Sequence, residues 1–192
     1  MSNMDGLVIR ENTITENQVA QDLVVGSQIK FVVEKRSPDA LIALLERSKK
    51  LSEDDPEYRA MIDELDSFLE ARPGRKVIGL EAKLQIGGRD DLIDDAGFLA
   101  NRFARRLAKN QMSPSLQALY LHCLSRINST FCSYIQPLIR GGAQKSTVDA
   151  AIYKLVVEPM YEEVTAVDSS LSTEMIRGML YFLTGKCHLQ WE

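Results

Sequence analysis

A chain of 192 residues with 45% hydrophobic and 26% charged residues has the composition of one globular domain, long enough to bury a core without disulfides. The formal net charge of −4 excludes a chain that is built as a whole to bind nucleic acid and leaves only a local basic face for such contact. No apolar run approaches the roughly 20 residues of a membrane span, and no secretory signal is visible. We therefore expect a cytoplasmic protein whose three cysteines are free, buried thiols.

The segment 1–36 differs in composition from everything after it. It is rich in Val, Ile and Thr, with Asn, Asp and Gly between short apolar runs, which predicts short strands at 7–10 and 29–33. Such strands need a sheet partner, so the segment is either a docking element that adds to the sheet edge of another protein or a hairpin folded on its own domain. The side chains expected to contact a partner are Val24, Val25, Ile29, Phe31 and Val33.

The segment 37–192 predicts helices. Seven stretches show apolar residues at spacings of three and four, and glycine or proline separates them. Helix starts are predicted at Ser37-Pro38, Asp55-Pro56, Ser113-Pro114 and either Ser172 or Thr173, with a capping pattern from Ser146 to Asp149 and a kink at Pro159. The predicted fold class is mainly α: an irregular helical bundle with a short strand segment at its N-terminus.

Five side chains are of the types that bind zinc: His122, Cys123, Cys132, Cys187 and His188. Their spacing is poor for a metal, because neighbouring residues rarely bind one ion together and no C-x-x-C pair exists. Consecutive residues of an extended tail also point to opposite faces, so Cys187 and His188 cannot form a nucleophile and base pair. We expect packing roles, no metal and no cofactor.

Two charged clusters remain. Asp90, Asp91, Asp94 and Asp95 could hold Mg²⁺ through water, but acids in the first turns of a helix more often complement its dipole. Arg102, Arg105, Arg106 and Lys109 could face DNA; the alternative is a solvated face, or pairing with the acidic helix that carries Asp63, Glu64, Asp66 and Glu70. Phosphate-loop, G-x-S-x-G and H-E-x-x-H motifs are absent from the sequence, so we expect no enzyme activity.

Three stretches carry a family resemblance: "GLEAKLQIGGRDDLIDDA", "FARRLAKNQMSPSLQALYLHCLSRINSTFCSYIQPLI" and "MIRGMLYFLTGKCHLQW". Together with the start "NTITENQVAQDLVVG", they resemble the helical domains of bacterial ABC-three-component defence systems, which include the Lamassu-type antiphage systems. The resemblance spans roughly residues 8 to 191, and the tail "LTGKCHLQW" is its most distinctive part.

The resemblance implies a non-catalytic role. In these systems an SMC-like ABC ATPase senses DNA and an effector, often a nuclease, executes the response. Effector chains usually carry a catalytic domain before the helical domain, whereas only about 30 strand-rich residues precede it here. The resemblance thus favours an accessory subunit that links or restrains an effector on the ATPase, within a hetero-oligomer. The alternatives are an association module of an effector, a DNA-contacting subunit, or an enzyme or zinc protein that uses the Cys and His residues.

Overall fold

The computed structural model describes residues 37–192 with their side chains, and the backbone alone of residues 21–25 and 29–33. That backbone pairs as two antiparallel strands, β1 (Gln21–Val25) and β2 (Ile29–Val33), with Leu23 opposite Phe31. The strand expected at 7–10 lies outside the described residues. The relation of this N-terminal segment to the helical domain stays a prediction.

The described part of the chain is mainly helical, which confirms the mainly α part of the predicted class. The helices are α1 (Asp39–Ser48), α2 (Pro56–Leu69), α3 (Gly79–Ile86), α4 (Ile93–Lys109), α5 (Pro114–Thr130), α6 (Gln136–Arg140), α7 (Lys145–Ile152), α8 (Glu158–Val164) and α9 (Thr173–Gly185). A 3-10 turn, Asp90–Leu92, precedes α4. Among the described helices, none has the combination of length and apolar character needed to cross a membrane.

Two π-helical segments join neighbouring helices without a break: Phe131–Ile135 between α5 and α6, and Tyr153–Val157 between α7 and α8. Each lies just before a proline. Proline has no N–H, so the carbonyl four residues earlier loses its helical hydrogen-bond partner. A wider π-helical turn adjusts the backbone hydrogen bonds at this point. Before Pro159, the N–H of Glu158 accordingly bonds the carbonyl of Tyr153, five residues back. A π segment thus lies just before Pro159, where the sequence predicts a kink.

The predicted helix starts were confirmed where a side chain caps the first turn of the helix. Asp55 Oδ1 accepts from the N–H of Glu57 at 2.8 Å, and Ser113 and Ser172 cap α5 and α9 in the same way. The Ser146-to-Asp149 capping pattern was wrong. The helix α7 begins at Lys145 after Gln144, with no side-chain cap, so Ser146 already lies inside the helix. The Asp149 carboxylate is hydrogen-bonded to Arg89.

The core is built around α5, which packs against α1, α2 and α9. The helices α4 and α9 share the most extensive contact among the described helices. A Cβ on Gly178 of α9 would lie 2.6 Å from the Leu99 carbonyl oxygen of α4, so only glycine permits this approach. Next to it, the Phe103 ring packs edge-to-face on Tyr120 and on Phe182. The helical body thus includes α1 and α2 as well as the later helices.

Candidate functional site

The C-terminal strap, residues 187–191, is mostly buried and is hydrogen-bonded to the helical domain. The strap begins where α9 ends, at a left-handed turn in which Cys187 has a φ of +66°. The N–H of Cys187 bonds the Thr184 carbonyl at 3.1 Å, and the N–H of His188 bonds the Leu183 carbonyl at 2.9 Å. A left-handed residue is a common helix stop, because it turns the chain while the last carbonyls keep partners.

The connection between α2 and α3 holds the strap from one side. Nη1 of Arg75 donates to the carbonyls of Cys187 and His188 at 2.8 and 2.9 Å. The backbone N–H of Arg72 donates to the Lys186 carbonyl at 3.0 Å. These bonds satisfy carbonyls that the end of α9 and the strap would otherwise bury unpaired.

Cys187 and His188 face different neighbours. The Cys187 thiol lies 3.6 Å from the carbonyl oxygen of Lys76, while Nε2 of His188 lies 3.2 Å from that of Glu70. The His188 ring also packs on Phe68, with 5.2 Å between ring centres. Burial lowers the pKa of His188, and nearby cationic side chains lower it further. The pair is therefore held as two separate packing contacts.

The expected alternation of inward and outward residues along the strap was wrong. Cys187, His188 and Leu189 are all buried, because the left-handed turn at Cys187 breaks the two-residue period of an extended chain. Trp191 docks on the helical domain: the residue is 3% exposed and its ring packs on Phe131.

The seat of Trp191 includes residues that the sequence did not single out. A Cβ on Gly87 would lie 2.7 Å from the Cβ of Trp191, so glycine is needed there. The Arg89 guanidinium carbon lies 5.6 Å from the centre of the indole ring, in cation–π range. The sequence signal for this seat is the pair Gly87-Gly88 followed by Arg89. Such a pair ordinarily predicts only the end of a helix.

The remaining Cys and His side chains also make packing contacts. Cys123 is fully buried, and this burial raises the pKa of its thiol to about 12, so it stays protonated at neutral pH. The Cys132 thiol lies 3.8 Å from Oδ1 of Asn128, and Nε2 of His122 lies 3.2 Å from Oε1 of Glu163. Within the described ranges, no three His, Cys, Asp or Glu side chains gather as a metal site.

Comparison with protein-family models matches residues 79–191, more than half of the chain, to C-terminal domain 9 (CTD9) of the ABC-three component (ABC-3C) systems. The chain belongs to this family. The ABC-three-component part of the resemblance is thereby confirmed, and the chain carries a domain of a multi-component defence system. Searches of curated proteins and of solved structures gave no match.

The CTD9 match runs from the first residue of α3 to Trp191, so it includes the strap and the whole seat of Trp191. The helices α1 and α2 lie outside the match, although they pack on α5 inside it. The bonds from Arg72 to Lys186 and from Arg75 to the strap therefore join residues before the match to residues near its end.

On α4 of the CTD9 domain, two of the four basic side chains are engaged within the chain. Arg102 pairs with Glu174 at 2.7 Å, and Arg106 pairs with Asp168 at 2.7 Å. The pairing expected with the acidic helix α2 was therefore wrong for both. Arg105 and Lys109 are exposed and form no ion pair with any described residue.

The acidic cluster before α4 is divided by its contacts. Asp91 accepts hydrogen bonds from Arg89, which lowers the pKa of the Asp91 carboxyl, and it lies 3.7 Å from Nζ of Lys145. Asp94 and Asp95 lie in the first turn of α4, where the helix dipole favours negative charge.

The five side chains expected to contact a partner, Val24, Val25, Ile29, Phe31 and Val33, lie outside the described side chains. Their role stays a prediction.

Proposed function

We propose that this chain is a non-catalytic accessory subunit of an antiphage defence complex, which holds or restrains an effector on an SMC-like ABC ATPase. The observation that carries the proposal is the CTD9 match over residues 79–191, because it assigns the larger part of the chain to a multi-component system. The partners are then the other components of the same system. Within this proposal the system is of the Lamassu type, the effector is a nuclease and the complex lies in the cytoplasm.

The contacts of the reactive side chains support the non-catalytic part of the proposal. A thiol nucleophile needs a lowered pKa and a neighbouring base, whereas the pKa of Cys123 is raised to about 12. The Cys187 thiol and the His188 ring contact backbone carbonyls of the α2–α3 connection. Each group has a packing role that accounts for its position.

Affinity purification of the tagged chain from its native operon tests the proposal. We expect the ATPase and the effector to co-purify at fixed stoichiometry, and the isolated chain to hold no metal by elemental analysis. Isolation of the chain without either component would contradict the accessory role. Stoichiometric zinc would favour a metal protein instead.

A second candidate function is direct DNA contact through α4. The observation that favours it is the exposure of Arg105 and Lys109, without an ion pair to any described residue. Replacing both by Gln should then weaken binding of short duplex DNA by the complex and reduce the slope of log affinity against log salt by about 2, roughly one for each phosphate that is no longer neutralised. Replacing Lys49 and Lys50, at the end of α1, by Gln serves as the charge-matched control. An equal effect of both pairs would contradict a specific role for α4.

A further inference from the structure

A small cleft of about 100 Å³ opens beside the seat of Trp191. It lies between the end of α6, the start of α7 and the strap. Arg89 and Lys145 supply its charged wall, and Ile139, Ala143, Val148 and Trp191 supply its apolar wall. The Arg89–Trp191 contact described above forms part of this wall.

Arg89 is the unusual member of the wall. Its side chain is only 4% exposed, and Nη2 donates to Asp149 at 2.8 Å and approaches Asp91 at 3.3 Å. Nη1 is also buried but has no hydrogen-bond partner among the described residues. A buried donor without an acceptor is costly, so this nitrogen favours the binding of an acceptor.

Two further features favour a negative charge in the cleft. Lys145 is exposed at the rim, and its ammonium has only a long contact, 3.7 Å, with Asp91. Lys145 is also the first residue of α7, whose N-terminus has no side-chain cap. The first N–H groups of an α-helix lack intrahelical partners and carry partial positive charge.

The charge balance limits the charge of the ligand. Arg89 and Lys145 bring two positive charges, and Asp91 and Asp149 bring two negative ones, so a single extra negative charge is tolerated better than a double one. The apolar side chains suit a short hydrocarbon stem, and the volume leaves room for only a few carbons. We propose that this cleft binds a carboxylate on a short apolar stem, with Arg89 and Lys145 as its donors.

The only tryptophan of the chain, Trp191, lines the cleft, so intrinsic fluorescence reports on it directly. Titration of the full chain with propionate should give a saturable change, with a dissociation constant on the order of 1 mM for so small a ligand. Propionamide has the same shape without the charge, and inorganic phosphate adds charge without the stem. Both should bind at least several-fold more weakly than propionate.

Two variants keep the proposal testable without disturbing buried Arg89. Lys145→Gln should weaken propionate binding several-fold, while Lys109→Gln, a matched change on exposed α4, should leave it unchanged. Ala143→Leu fills the cleft and should abolish binding while circular dichroism stays helical. Equal binding of propionate and propionamide, stronger binding of phosphate, or no saturable signal would each overturn the proposal.

Two kinds of molecule carry such a carboxylate: a free small acid and an acidic side chain of a protein. A second titration distinguishes them. A capped Ala-Glu-Ala peptide carries the same group on a peptide side chain, and its Gln counterpart is the control. Tighter binding of the Glu peptide than of propionate supports the site and assigns it to an acidic side chain of a protein. Binding of propionate alone supports the site and assigns it to a free small acid.

Discussion

Nε1 of Trp191 donates a hydrogen bond to Oγ1 of Thr184 at 3.1 Å, and both side chains are buried. The strap is thus tied back to the helix that it follows, seven residues earlier in the chain. Thr184 Oγ1 in turn donates to the Leu180 carbonyl, so its hydroxyl is used as both donor and acceptor. This bond explains why a tryptophan can end a strap that packs in the core.

Replacing either partner should therefore destabilise the chain. We expect Thr184→Val and Trp191→Phe each to lower the free energy of unfolding by about 1–3 kcal/mol, since each removes a buried hydrogen bond. The double variant should lose about 1 kcal/mol less than the two single losses together, because the residues share one contact. Denaturant unfolding measures all three. Thr165→Val, at an exposed hydroxyl just after the end of α8, should change stability by less than about 0.5 kcal/mol. Strict additivity would contradict a direct coupling.

Cys187→Ala tests whether the distinctive Cys-His pair has more than a packing role. Alanine suffers the same left-handed strain as cysteine, so the variant loses only the packing of the sulfur and its weak contact with the Lys76 carbonyl. We expect a folded protein, less stable by about 1 kcal/mol, that still co-purifies with its partners. A folded variant that no longer assembles would show that the thiol has a function of its own.

Gly178→Ala and Gly97→Ala form a matched pair in two packed helices. At Gly178 a Cβ would meet the Leu99 carbonyl at 2.6 Å, so we expect α4 and α9 to be forced apart at about 1–3 kcal/mol. At Gly97 of α4 nothing lies within 4 Å of an added Cβ, so alanine should stabilise the helix by about 0.5–1 kcal/mol. Opposite shifts of the thermal midpoint check both. Similar shifts for the two variants would contradict the close approach of α4 and α9.

The contrast between these two glycines shows what the sequence could predict. Among the described residues the helices form seven continuous stretches, because each π segment joins two of them, and this matches the predicted number. Helix number and most helix starts, such as Asp55-Pro56, follow from signals within a few residues. The need for glycine at position 178 depends on Leu99, which is distant in the chain, and the need for it at Gly87 depends on Trp191. Nothing in the local pattern separates Gly178 from Gly97. The bond between Asp149 and Arg89 could not be predicted from local signals for the same reason, because Arg89 comes from another part of the chain.

His188 should make stability depend on pH. Its pKa is lowered in the folded chain by burial and by Arg72, Arg75 and Lys83, so the unfolded chain binds the proton more readily. Stability is then complete above the ordinary histidine pKa of about 6.5 and falls as pH drops from there toward the lowered folded value. Urea unfolding between pH 5 and 8 measures this slope. His188→Gln should flatten it, whereas an unchanged slope in that variant would assign the pH dependence to other groups.

Deleting residues 1–34 distinguishes the two interpretations of the N-terminal segment. Its apolar side chains and paired strands favour contact with something, and a strand that adds to a partner's sheet edge gains main-chain hydrogen bonds. If the segment is a docking element, the truncated chain should keep its helical circular dichroism and its unfolding midpoint but no longer co-purify with the other components. Aggregation or a large loss of stability would instead place the segment in the core of this domain. A truncated chain that folds and still assembles normally would show that the docking hypothesis is wrong.

Phe31→Asp in the full-length chain is the companion variant, because a charge on the strand should abolish docking while the helical domain stays folded.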